Sequence, residues 1–163
     1  MVNPAQFAFF LLVALVIPSA LWKGGAPERV GASIILAMWG LQAGGEHFLP
    51  SGFVAVDPFS LLSDLIGFVG FGYLAVEARR IWPLWAASLQ ILSLSAHFAR
   101  WADLSIHPMV YALMRGTPTF GAMIAIFIGT VLHRTRLQGR GYDPSWQNWS
   151  RGAAGSSRSR RPF

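Results

Sequence analysis

The chain has 163 residues, of which 53% are hydrophobic and only 12% charged, with a formal net charge of +6 and no cysteine. A soluble domain usually carries about 25% charged residues, so half the usual solvating charge is missing, and the lack of cysteine excludes disulfides, thiolate metal sites and thiol nucleophiles. The basic excess does not argue for nucleic acid, because seven of the thirteen Lys and Arg residues fall within residues 133–163, beside apolar runs, where such residues set membrane orientation and meet anionic headgroups.

A helix needs about 20 apolar residues to cross about 30 Å of hydrocarbon, and five segments approach that length. The first is Ala5 to Trp22. Nothing basic precedes it, and Pro18-Ser19-Ala20 makes a poor cleavage site, so it reads as an uncleaved first span and not a secretory signal. The second covers residues 30–47, after the turn Gly24-Gly25-Ala26-Pro27. The third covers 58–76, with Pro58 in a first-turn position. The fourth covers 81–101, with Pro83 near its start. The fifth lies within 108–132, where Arg115-Gly116-Thr117-Pro118 interrupts it. Two forms are open there: one kinked helix, or a short interfacial helix followed by a span from Pro118.

Basic residues alternate between connections. Lys23 and Arg29 flank the first, the second (48–57) has none, Arg79 and Arg80 mark the third, Arg100 alone the fourth, and Arg134, Arg136 and Arg140 open the tail. Positive charge accumulates on the cytoplasmic side, so the expectation is an all-α, polytopic membrane bundle of five short helices with the N-terminus out and the C-terminus in. The bundle covers residues 1–137. Residues 138–163, rich in Gly, Ser, Arg and Pro, are expected to form a disordered basic cytoplasmic tail. The location this implies is a bacterial inner membrane.

Charged side chains at bilayer depth cost roughly 2.5–3.5 kcal/mol and turn inward towards partners. Asp64 and Arg115 both fall about 8–10 Å below the outer boundary at 1.5 Å per residue, which suggests an ion pair. Gln90, Ser93, His97 and Arg100 share one face of the fourth helix. Glu46 and His47 end the second. These eight residues define an expected polar cluster in the outer half, opening outward above an inner half that is nearly pure hydrocarbon apart from boundary residues such as Glu77 and His133. Gly40 with Gly44, and Gly121 with Ala125 and Gly129, have small-residue spacing that lets helices approach closely.

Sharper chemistry finds little support. The cluster lacks the tight ligand spacing of a metal site, Ser93 and Ser95 near His97 lack a nucleophile elbow, phosphate-binding fingerprints are absent, and no cofactor is specified. An enzyme is therefore the less favoured reading. The expected role is an accessory or scaffold subunit of a larger membrane complex, with the lipid bilayer and other membrane subunits as partners and no nucleic acid. The alternative is a carrier, sensor or redox-associated protein whose polar pocket binds a small ligand: quinone, lipid, porphyrin, proton or ion.

Overall fold

The computed structural model describes residues 4–48, 58–102 and 107–147; within them the side chains of residues 4–6, 46–48, 108, 112 and 115 stand outside the description. Five α-helices follow in order: α1 (Pro4–Lys23), α2 (Ala26–Phe48), α3 (Pro58–Glu77), α4 (Trp82–Trp101) and α5 (Pro108–Arg140). The proline positions explain several starts. Pro58 opens α3, and Pro83 and Pro108 occupy the first turns of α4 and α5, where a missing N–H costs nothing. His107 caps α5, its Nδ1 accepting the Met109 N–H at 3.3 Å.

Two boundaries differ from the hydropathy reading. α2 begins at Ala26 and not at residue 30, because Pro27, Glu28 and Arg29 suit a helical first turn although they are too polar for an apolar span. α5 runs unbroken for 33 residues through Pro118, about 50 Å at 1.5 Å per residue. Its end is set by Gly141, whose φ of 67° closes the helix by donating its N–H to the Leu137 carbonyl at 2.9 Å, a conformation glycine adopts without Cβ strain.

The helices form a closed ring: each packs on the next, α5 returns to α1, and α2 also touches α5. The core gathers Val16, Met38, Phe71, Leu74, Met123 and Ile126. Gly67 sits at a three-helix junction, where a Cβ would meet Met38 Sδ of α2 at 2.7 Å and Gln90 Cδ of α4 at 3.0 Å. On α5 the small residues expected to permit close approach do so, with Gly121 against Leu89 and Gly129 against Trp82. Gly40 and Gly44 have nothing among the described residues within 4 Å of an added Cβ, so their expected close approach to a neighbouring helix is not found there.

The outward surface is apolar along most helices. Phe10, Val69, Trp85, Ile91 and Ile128 are each at least half exposed, whereas Glu28, Ser60, Ser63, Asp64, Gln90, Ser93 and His97 are at most 1% exposed. By length and composition α3 and the Met109–Arg140 part of α5 can cross a membrane.

The last described segment does not behave as a free tail. Residues 141–147 fold back along the end of the ring where α3 connects to α4: the Arg79 N–H donates to Ser145 O at 3.1 Å, the Gln147 N–H donates to Glu77 O at 2.8 Å, and Ala78 pairs with Trp146 in an isolated antiparallel bridge. These few backbone bonds, and the Asp143 contacts given below, hold a stretch whose composition alone predicts no core. Residues 148–163 lie outside the described part.

Candidate functional site

Asp64 lies six residues into α3, and on α4 Ser93 and His97 lie two turns and one turn before the helix end, so antiparallel packing brings all three to one level. The Ser93 hydroxyl donates to Asp64 Oδ2 at 2.6 Å, and His97 Nε2 meets the same oxygen at 2.9 Å. The other ring nitrogen of His97, Nδ1, lies 2.9 Å from the Tyr111 hydroxyl on α5. Asp64, His97 and Tyr111 are all at most 1% exposed. The simplest donor assignment runs one way: the phenol donates to Nδ1, and Nε2–H donates to the carboxylate.

This Tyr–His–Asp chain has a definite chemical capacity. The imidazole can accept the phenol proton at Nδ1 while Asp64 stabilises the resulting imidazolium at Nε2, the same division of labour as in a hydroxyl–imidazole–carboxylate triad. The hydroxyl in the reactive position is that of Tyr111. Ser93 faces the carboxylate and not the imidazole, so the geometry does not make it a nucleophile.

Other polar groups surround the chain. Gln42 Nε2 donates to Ser63 Oγ at 3.0 Å, and Ser63 in turn donates to the Met38 carbonyl at 3.2 Å. The Arg100 guanidinium carbon stands 5.9 Å from the Tyr111 ring centroid, within reach of a cation–π attraction. Four buried atoms of α3 and α4 have no hydrogen-bond partner among the described residues: Ser60 Oγ, Asp64 Oδ1, and both Gln90 Oε1 and Nε2. Ser60 and Asp64 are one turn apart on α3, while Gln90 is one turn from Ser93 on α4. Each such atom in a dry interior costs roughly 1–3 kcal/mol, so their grouping on two facing helices calls for a functional reason.

Of the expected cluster, the structure brings together Asp64, Gln90, Ser93 and His97, with Arg100 at its edge. The side chains of Glu46, His47 and Arg115 lie outside the described part, and the expected Asp64–Arg115 pair with them; the described contacts of Asp64 are on α4. Sequence reasoning missed Tyr111. The available signal was its place on the buried face of α5, in register with Pro118, Ala122 and Ala125.

The opposite end, expected to be the inner one, differs more. In place of nearly pure hydrocarbon it holds a buried charge network. Arg80 reaches Glu28 Oε1 at 3.2 Å and Asp143 Oδ2 at 2.7 Å, and donates to the Pro144 carbonyl at 2.9 Å. Trp82 Nε1 also donates to Glu28 at 2.9 Å, and His133 Nδ1 meets Asp143 Oδ2 at 2.7 Å. The early start of α2 and the return of residues 141–147 bring these charges together. Burial opposes ionisation of Asp143, but the His133 hydrogen bond and the Arg80 and Arg136 charges outweigh it and hold the carboxyl below its ordinary 3.8.

Among the described residues no group of three or more His, Cys, Asp or Glu side chains could hold a metal ion. No protein-family model, curated protein or solved structure matches this chain.

Proposed function

We infer that the protein is a five-span inner-membrane protein whose outer-end cluster handles a proton or binds a small ligand bearing a carbonyl or hydroxyl, in the class of a carrier, sensor or redox-associated protein. The carrying observation is the set of unpartnered buried atoms beside the Tyr111–His97–Asp64 chain. A purely structural clamp gains from full satisfaction, whereas among the described residues this one leaves two donor groups (Gln90 Nε2, Ser60 Oγ) and two acceptors (Asp64 Oδ1, Gln90 Oε1) without partners. A quinone headgroup has the matching carbonyls, and its quinol has the matching hydroxyls. Support for membrane insertion comes from the distribution of polarity, with aliphatic and aromatic side chains outward and carboxylates, amides and imidazole inward; soluble monomers rarely expose continuous apolar surface of this kind.

The test is extraction of the protein from membranes in mild detergent, followed by solvent extraction and mass analysis of what it carries. Wild type retains a stoichiometric quinone or similar small molecule, and Asp64→Asn and His97→Ala lose it while remaining membrane-bound. Equal small-molecule content in wild type and both variants refutes the site.

One observation favours the accessory-subunit reading as a second role. Gly40 and Gly44 present an open small-residue face on α2, suited to a helix of another subunit. Gly40→Leu then removes a copurifying protein without altering the ligand content.

A further inference from the structure

We propose that the inner end of the bundle carries a binding site for a single anionic phospholipid, with its phosphate held between α1, α2 and α5 and an acyl chain running along α1. This rests on the membrane reading above. A cavity of about 350 Å³ is lined by Trp22, Lys23, Arg29, His133 and Arg134, among others. A groove of about 340 Å³ formed by Ile17, Pro18 and Leu21 shares Trp22 with it. One compartment is therefore cationic, the other is apolar, and a single indole lines both.

The cations of the cavity are uncompensated, which separates them from their neighbours. Among the described residues, Lys23, Arg29 and Arg134 enter no ion pair, while Arg80 and Arg136, which do not line the cavity, are matched by Glu28 and Asp143. His133 Nδ1 is committed to Asp143. Arg29 Nε donates to the Gly24 carbonyl at 3.1 Å, which fixes the base of its guanidinium at the cavity wall. Positive charge thus accumulates in the cavity lining and is neutralised in the Arg80 network. An anion satisfies the first arrangement, and the adjoining apolar groove selects an anion with a hydrocarbon chain. Basic pockets between helices on the cytoplasmic side recognise headgroups in this way.

The test titrates the purified full chain with phosphatidylglycerol and phosphatidylcholine of equal chain length, counting bound lipid by native mass spectrometry. Wild type prefers phosphatidylglycerol. Lys23→Gln/Arg134→Gln lowers that preference about thirtyfold, as expected for two basic residues at a headgroup. Arg79→Gln/Arg140→Gln, equal in charge change but outside the cavity, keeps it within about twofold on the same scale. Excess inorganic phosphate leaves the phosphatidylglycerol bound. Equal retention of both lipids by wild type, an equal loss in the two double variants, or displacement by inorganic phosphate each overturns the site. Carbonate washing separates the two premises: release of wild type from membranes sinks the membrane reading, whereas retention together with indifference to headgroup sinks the lipid site alone.

Discussion

Arg80→Met removes the central charge of the inner network while keeping most of the side-chain volume. The guanidinium, 2% exposed, contacts two carboxylates, Glu28 and Asp143, and two backbone carbonyls, those of Arg79 and Pro144. Asp143 keeps His133 and Arg136 after the change. Among the described residues Glu28 keeps only the Trp82 indole at Oε1, and its Oε2 already has no partner. The loss therefore concentrates on a fully buried carboxylate, and breaking such a pair costs about 3–5 kcal/mol. Because the cost is the stranded charge, Glu28→Gln in the Arg80→Met background restores about 2 kcal/mol relative to the sum of the single changes. Reversible unfolding in mixed micelles of mild detergent and dodecyl sulfate, followed by circular dichroism, measures both quantities. A cost below about 1 kcal/mol, typical of an exposed pair, or strict additivity of the two changes, refutes the buried network.

Acidification tests the same end of the molecule. Asp143 has a depressed folded-state value, so its contribution is fully present above its ordinary 3.8 and is lost as pH falls through the lower folded value. Protease cleavage of residues 141–147 in detergent then rises below about pH 4, and Asp143→Asn shows the raised cleavage at neutral pH. Tyr111→Phe preserves the ring but leaves His97 Nδ1 without the phenol, costing about 1–3 kcal/mol and shifting the His97 ring nitrogen signals in NMR; unshifted signals contradict the contact. Gly67→Leu forces side-chain carbons against Met38 and Gln90 and destabilises by about 1–3 kcal/mol, read as a lowered Tm; an unchanged Tm contradicts the three-helix junction.

Helix positions were legible where proline and charge punctuate apolar runs. Pro58 and Glu77 bracket α3, and Arg80 with Pro83 announces α4. Hydropathy failed at the ends of α2 and α5, because an α-helix continues into polar sequence until a capping geometry stops it, here Gly141. The polar cluster was legible as a stripe, since Gln90, Ser93 and His97 recur at helical spacing, but the partners within it were not: spacing along α4 does not say that Ser93 and His97 both reach Asp64 on α3, which side-chain reach decides. The inner network was hidden for a different reason. Arg80, Glu28 and Asp143 look like orientation signals and loop charges in the sequence, and only the return of residues 141–147 joins them.

The absence of cysteine allows single reporters to be placed without background, and that measurement bears most directly on the central claim that the apolar exterior lies in a bilayer with the Asp64 end outward. Ala102→Cys, beyond the end of α4, reacts with a membrane-impermeant maleimide in intact spheroplasts. Gln138→Cys, near the end of α5, reacts only after lysis. Labelling of both from the same side, or the reverse order, contradicts the account.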